Sequence, residues 1–207
     1  MQILFQKILI YFLIAFTFTG CSEKLDENDI NFGIAQKPQQ LDPRFQSDAA
    51  SKKLSQLIYT PFIFLDENFL PRSHVVSFKK INNLQYSFHL KRKLPFFYEG
   101  RQVDLDDIIS TLKNLKNLPT SPYFQQLQNI KNIRKKSDKF FHVNLKKKEP
   151  NFLSQLNFFI LPKERLIKNH NFSEMPVGSG PFELVESSPN IKLLRRSDGQ
   201  LINLIEI

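Results

Sequence analysis

Few residues of this chain have chemistry beyond packing: four histidines, one cysteine and a close pair of glycines among 207 residues. His74, His89, His142 and His170 are widely separated, and one cysteine cannot complete a zinc cluster or an internal disulfide. No metal site is therefore expected. His89 and His142 fall at the polar positions of alternating stretches, which puts them on the solvent face of strands. No Ser–His–Asp order stands out, so no catalytic residues are expected and the chain is not read as an enzyme. Gly178-Ser179-Gly180 has the look of a phosphate cradle, but no Lys-Ser/Thr follows and no helix pattern opens after it. These glycines are expected instead to let two backbones approach closely, and no cofactor is expected.

The net charge of +9 invites a nucleic-acid reading. The charges are scattered and no nucleic-acid motif is present, so no nucleic-acid partner is expected. The remaining option is binding, and the elements that would carry it can be read in order. Ile30–Ile34 alternates as a first strand, and Asp48-Ala49-Ala50 leads into a helix through Leu54, Leu57 and Ile58. Phe64 to Asn68 reads as a strand ending in a turn. Gln85–Leu90 alternates as a half-buried strand, and Gly100 supplies the positive φ of a turn. Asp104 then precedes Leu105, Ile108, Ile109 and Leu112, one face of a helix with Asp106 and Asp107 in its first turn. That helix is expected to run to Leu118, with Pro119 and Pro122 ending it. Further strands are expected at Ile130–Ile133 and Lys139–Leu145, a short helix at Phe152–Leu156 and a buried strand at Phe158–Lys163. A hairpin is expected across Glu183–Glu186 and Ile191–Arg196, turning at Ser188-Pro189-Asn190, with a last strand from Leu201.

Several of these stretches resemble the signature of the family 5 extracytoplasmic solute-binding proteins, the peptide, dipeptide and nickel receptors of ABC importers. Tyr86, Phe88, Leu90, Lys91, Gly100, Val103, Asp107 and Ile108 match its central "Y-x-F-x-L-K/R … G … V-x-x-x-D-I/V". Pro38 to Pro43 matches "P-x-x-L-D-P", Ile58 to Phe62 resembles "I-Y-E-P-L", and Leu65 to Asn68 resembles "L-D-x-D/N-G". Pro176 to Phe182 resembles "P-V-G-T-G-P-Y", with Ser for Thr and Phe for Tyr. Val75 to Phe78 is a degraded form of "A-x-S-W". At the front, Lys7, the apolar run Ile8–Phe18 and Thr19-Gly20-Cys21 resemble a bacterial lipoprotein signal, with Phe18 where Leu is usual. The apolar run is shorter than the ~20 residues of a membrane span.

The resemblance implies an α/β fold with mixed sheets, periplasmic-binding-protein-like type II, of which this chain matches the N-terminal portion without the second lobe. It implies a signal peptide over 1–20, a lipidated tether over 21–29 and a solute-binding region over 30–207. Within the latter, 30–44 and 175–207 would belong to the main sheet and 45–174 to an inserted subdomain. Lipidation is expected at Cys21, and ligand contacts at Ser47, Asp48, Ala49 and Tyr123, the positions that match first-lobe cleft residues. The implied ligands are extended peptides, and the implied partners are the ABC permease and ATPase subunits and a membrane reached through the lipid. The implied location is the periplasmic side of a bacterial envelope, anchored by lipid, with a soluble periplasmic form as the alternative. Missing the second lobe, the chain is expected to bind peptides weakly or not at all and to expose sheet edges and an apolar face. The alternatives are a lipid-anchored interaction protein or decayed paralogue, and a nickel or other small-solute receptor of the same family.

Overall fold

The computed structural model describes residues 29–168, 170–188 and 190–207. The expected signal peptide, Cys21 and the tether up to residue 28 lie outside the described residues, as does Pro189. The chain runs β1 (Ile30–Ile34), α1 (Ala49–Ile58), β2 (Phe64–Leu65), β3 (Pro71–Arg72), β4 (Val76–Asn82), β5 (Gln85–Leu90), α2 (Leu105–Lys116), α3 (Phe124–Leu127), β6 (Ile130–Lys135), β7 (Phe140–Leu145), a 3₁₀ turn (Leu153–Leu156), α4 (Lys163–Ile167), β8 (Phe182–Glu186), β9 (Ile191–Arg195) and β10 (Leu201–Glu206). One sheet has the order β1-β10-β9-β8, with β1 parallel to β10 and the other pairs antiparallel. The other is antiparallel, in the order β4-β5-β7-β6, and β2 and β3 form a small hairpin beside it. The class is α/β with mixed sheets, as expected.

Helix α2 begins as the sequence dictates. The Asp104 carboxylate accepts the Asp107 N–H at 3.0 Å, and the Asp107 carboxylate accepts the Asp104 N–H at 2.8 Å, a reciprocal cap. Asp107 is fully buried and also accepts two bonds from the Arg101 guanidinium, at 2.7 and 2.9 Å, and one from the Lys163 N–H at 3.0 Å. Gly100, whose N–H bonds the carbonyl of the buried Phe97 at 2.9 Å, has φ 89°. The helix ends at Lys116 with Asn117 as its C-cap, earlier than the expected Leu118. The apolar faces of α2, β5 and β7 meet in a core of phenyl rings. Phe62 lies 5.3 Å from Phe88 and 5.2 Å from Phe158, and Phe88 lies 5.1 Å from Phe141.

One expectation needs correction, and one strand was not foreseen. Phe158–Lys163 is buried but is not a strand. Only Pro61 and Phe159 form a bridge, with Phe62 N–H bonded to Phe158 O (2.8 Å) and Ile160 N–H to Thr60 O (3.0 Å). Lys163 starts α4, because Pro162 fixes a helix-compatible φ at its N-cap. Strand β4 was not announced by alternation, since most of its residues are exposed and its polar positions carry little period-2 signal. A second core joins Leu54, Ile58, Phe172, Val177, Leu193 and Leu204, so α1 packs on the main sheet although it falls inside the 45–174 segment. The apolar face expected there is present: Phe32 is 61% exposed at the sheet edge, above a hollow of about 710 Å³ lined by Ile34, Leu57 and Ile202.

Candidate functional site

The loop before α1 and the loop after α2 are tied together. Pro43 follows Asp42, whose buried carboxylate accepts the Arg44 N–H (2.9 Å) and the Arg44 guanidinium (2.6 to 3.1 Å). This ion pair folds the loop back, and Arg44 lies over the Phe45 and Phe172 rings. The Arg44 carbonyl then accepts the Ser121 hydroxyl at 2.8 Å, and Ser121 Oγ accepts the Tyr123 N–H at 3.2 Å. Tyr123 is thereby set beside Gln46. Asp48 is the N-cap of α1: it accepts the Ser51 N–H at 2.7 Å and the Ser51 hydroxyl at 2.5 Å.

Tyr123 lines a groove of about 490 Å³ together with Gln46, Lys52, Gln56 and Asn157. A second hollow, of about 650 Å³, holds His74, Lys93 and Ser179 to Pro181. The two share Gln56, Pro61, Phe64 and Leu65 and so adjoin, making a two-part trough. Ser47 and Asp48 do not line this trough, and Ala49 lines the apolar hollow on the main sheet. Of the four residues predicted from the sequence, the structure brings Tyr123 alone into it.

Two chemical features define the trough. Burial pushes the Tyr123 hydroxyl up to about 12, so it stays a neutral donor at physiological pH. Gln46 is 1% exposed, and its Oε1 is buried with no hydrogen-bond partner among the described residues. Its amide nitrogen contacts Ser55 Oγ, which fixes the side chain. The far end is built by the glycine segment. A Cβ on Gly178 would lie 1.9 Å from Ile58 O, and one on Gly180 would lie 2.4 Å from Leu57 O. Both glycines are where two backbones touch, as expected, with Gly180 N–H bonded to Ile58 O (2.8 Å) and the Thr60 hydroxyl to Ser179 O (2.9 Å).

Sequence reasoning missed Gln46, Lys52, Gln56, His74, Lys93 and Asn157. The helical phase of α1 held a usable signal: Leu54 and Ile58 face the core, which leaves Lys52 and Gln56, four apart, on another face. The others are scattered along the chain and meet only in the fold. Among the described residues no group of three or more His, Cys, Asp or Glu could hold a metal ion. His89 instead contacts the Ser87 hydroxyl at 2.8 Å and stacks on Phe140 at 4.8 Å. No described helix is long and apolar enough to cross a membrane.

Residues 76–200 match a family model described as bacterial extracellular solute-binding proteins, family 5 middle. Solved structures share the fold. NikZ from Campylobacter jejuni, in complex with Ni(L-His), superposes with a TM-score of 0.74 at 20% identity, covering 88% of this chain and 40% of that one. AppA from Bacillus subtilis, in complex with a nonapeptide, gives 0.73 at 24% identity, covering 86% and 40%. DppA from Helicobacter pylori, in complex with the peptide STSA, gives 0.70 at 20% identity, covering 86% and 42%. This chain thus spans less than half the length of these solved proteins, and its fold is that of type II periplasmic binding proteins. No curated protein sequence matches the chain.

Proposed function

Because the chain belongs to the family 5 bacterial extracellular solute-binding proteins, a family of binders rather than catalysts, we propose that it supplies one wall of a receptor for extended peptides. The receptor would serve an ABC importer, pass its cargo to the permease and ATPase subunits, and be held at the periplasmic side of the envelope by lipid on Cys21. The observation that carries this reading is the trough, which is lined by the side-chain amides of Gln46, Gln56 and Asn157 together with Tyr123. An extended peptide backbone offers N–H groups and carbonyls to such amides, above all to the exposed Gln56, which lines both hollows. AppA and DppA, solved with a nonapeptide and with STSA, support the ligand class.

One wall makes only part of the contacts, while the cost of ordering the ligand is paid in full. Calorimetric titration of the chain from Cys21 onward with short peptides is therefore expected to give dissociation constants of about 1 mM, ~4 kcal/mol. Micromolar binding would show that the wall alone suffices and would overturn this account of its role. The likeness to NikZ favours a second reading, capture of a nickel chelate. Titration with Ni(L-His) under the same conditions separates the two, because the peptide reading expects no heat from it.

A further inference from the structure

We infer that the trough selects peptides that carry acidic side chains. This rests on the peptide-receptor reading and narrows its ligand. The residues lining the two hollows include Lys52, Lys93 and His74 and no aspartate or glutamate. Neither lysine forms an ion pair among the described residues, so both charges are available. The nearby carboxylates are committed elsewhere: Asp48 caps α1 through Ser51, and Asp66, next to Leu65, is held by Arg72 at 2.8 Å.

The geometry gives each charge a place. Lys52 stands on α1 on the Gln46 and Tyr123 side, and Lys93 stands at the other end beside Ser179 and Pro181. His74 is fixed there by stacking on Phe64, with ring centres 4.6 Å apart. A peptide lying along Pro61 to Leu65 therefore passes a cation at each end and an amide, Gln56, in the middle. Carboxylates on alternate side chains meet positive charge, whereas lysine or arginine side chains meet like charge in a partly desolvated trough.

The test uses the chain from Cys21 onward and three alanine pentapeptides, carrying two glutamates, no charge or two lysines, with inorganic phosphate as a fourth probe. Binding is followed by amide chemical shifts. The glutamate peptide is expected to bind at least tenfold more tightly than the lysine peptide, and the gap is expected to shrink in high salt. Lys52→Glu with Lys93→Glu, both at exposed positions, is expected to reverse the order. Equal binding of all three peptides, or an order unchanged in the double variant, would overturn the charge selection and leave the peptide reading intact. Phosphate binding as tight as that of the glutamate peptide would overturn it in favour of a small-anion site. No binding of any peptide would bring down the peptide reading and this inference together.

Discussion

Asp107 is the residue on which the junction of α2, α4 and the Gly100 turn depends. It is buried, caps α2 and takes both arms of Arg101, which also reaches Glu164 at 2.9 Å. Asp107→Ala removes the helix cap and leaves the Asp104 and Lys163 N–H groups without their acceptor, while Arg101 keeps Glu164, and it is expected to cost about 1–3 kcal/mol in urea unfolding. Phe69 makes the opposite case. It has φ 59° and is 80% exposed, at the position where "L-D-x-D/N-G" ends in glycine. The turn holds it there through Asp66, which accepts the Asn68 and Leu70 N–H groups at 2.9 and 3.0 Å. A left-handed side-chain residue costs roughly 1–2 kcal/mol, so Phe69→Gly is expected to stabilise the chain by about 0.5–1 kcal/mol after the glycine entropy penalty. His142 carries a pH dependence. Burial, then the charge of Lys136 and the neighbouring His89, hold its pKa below the ordinary 6.5. The folded chain takes up that proton less readily than the unfolded one. The stability tied to neutral His142 is thus full above about pH 6.5 and lost as pH falls through the lowered value. Urea midpoints for the parent are expected to drop more steeply than those of His142→Asn between about pH 7.5 and 5.

At the scale of elements, the glycine segment and α1 form one joint. Gly178 and Gly180 press on the last turn of α1, and Thr60 and Ser179 bond across the contact. Gly180→Ala forces backbone against backbone, and thermal unfolding is expected to report a loss of about 1–3 kcal/mol. The joint, the α2 cap and most strands were legible in the sequence because each is a local rule: an acidic cap before an apolar stripe, a glycine where φ is positive, alternation along β5 and β7. Phe158 to Lys163 misled because a continuous apolar run looks the same whether it pairs along its length or at one bridge. The trough was legible only at Tyr123. Gln46, Lys93 and Asn157 are ordinary in their own neighbourhoods and meet only in the fold, where Asp42, Arg44 and Ser121 staple the Gln46 loop to the Tyr123 loop.

At the scale of the whole molecule, two faces differ in kind. The main sheet presents an apolar hollow under Phe32, while the trough presents amides and two free lysines. The central claim is that the trough is the ligand wall. The most direct test is to add the uncharged alanine pentapeptide to the isotope-labelled chain and map the amides whose shifts move. The account predicts that the changes gather at Gln46, Gln56, Ile63, Lys93 and Tyr123, and that they weaken when Gln56→Leu removes the exposed amide shared by both hollows. Changes confined to Phe32, Leu57 and Ile202 would put the peptide on the main sheet and contradict it.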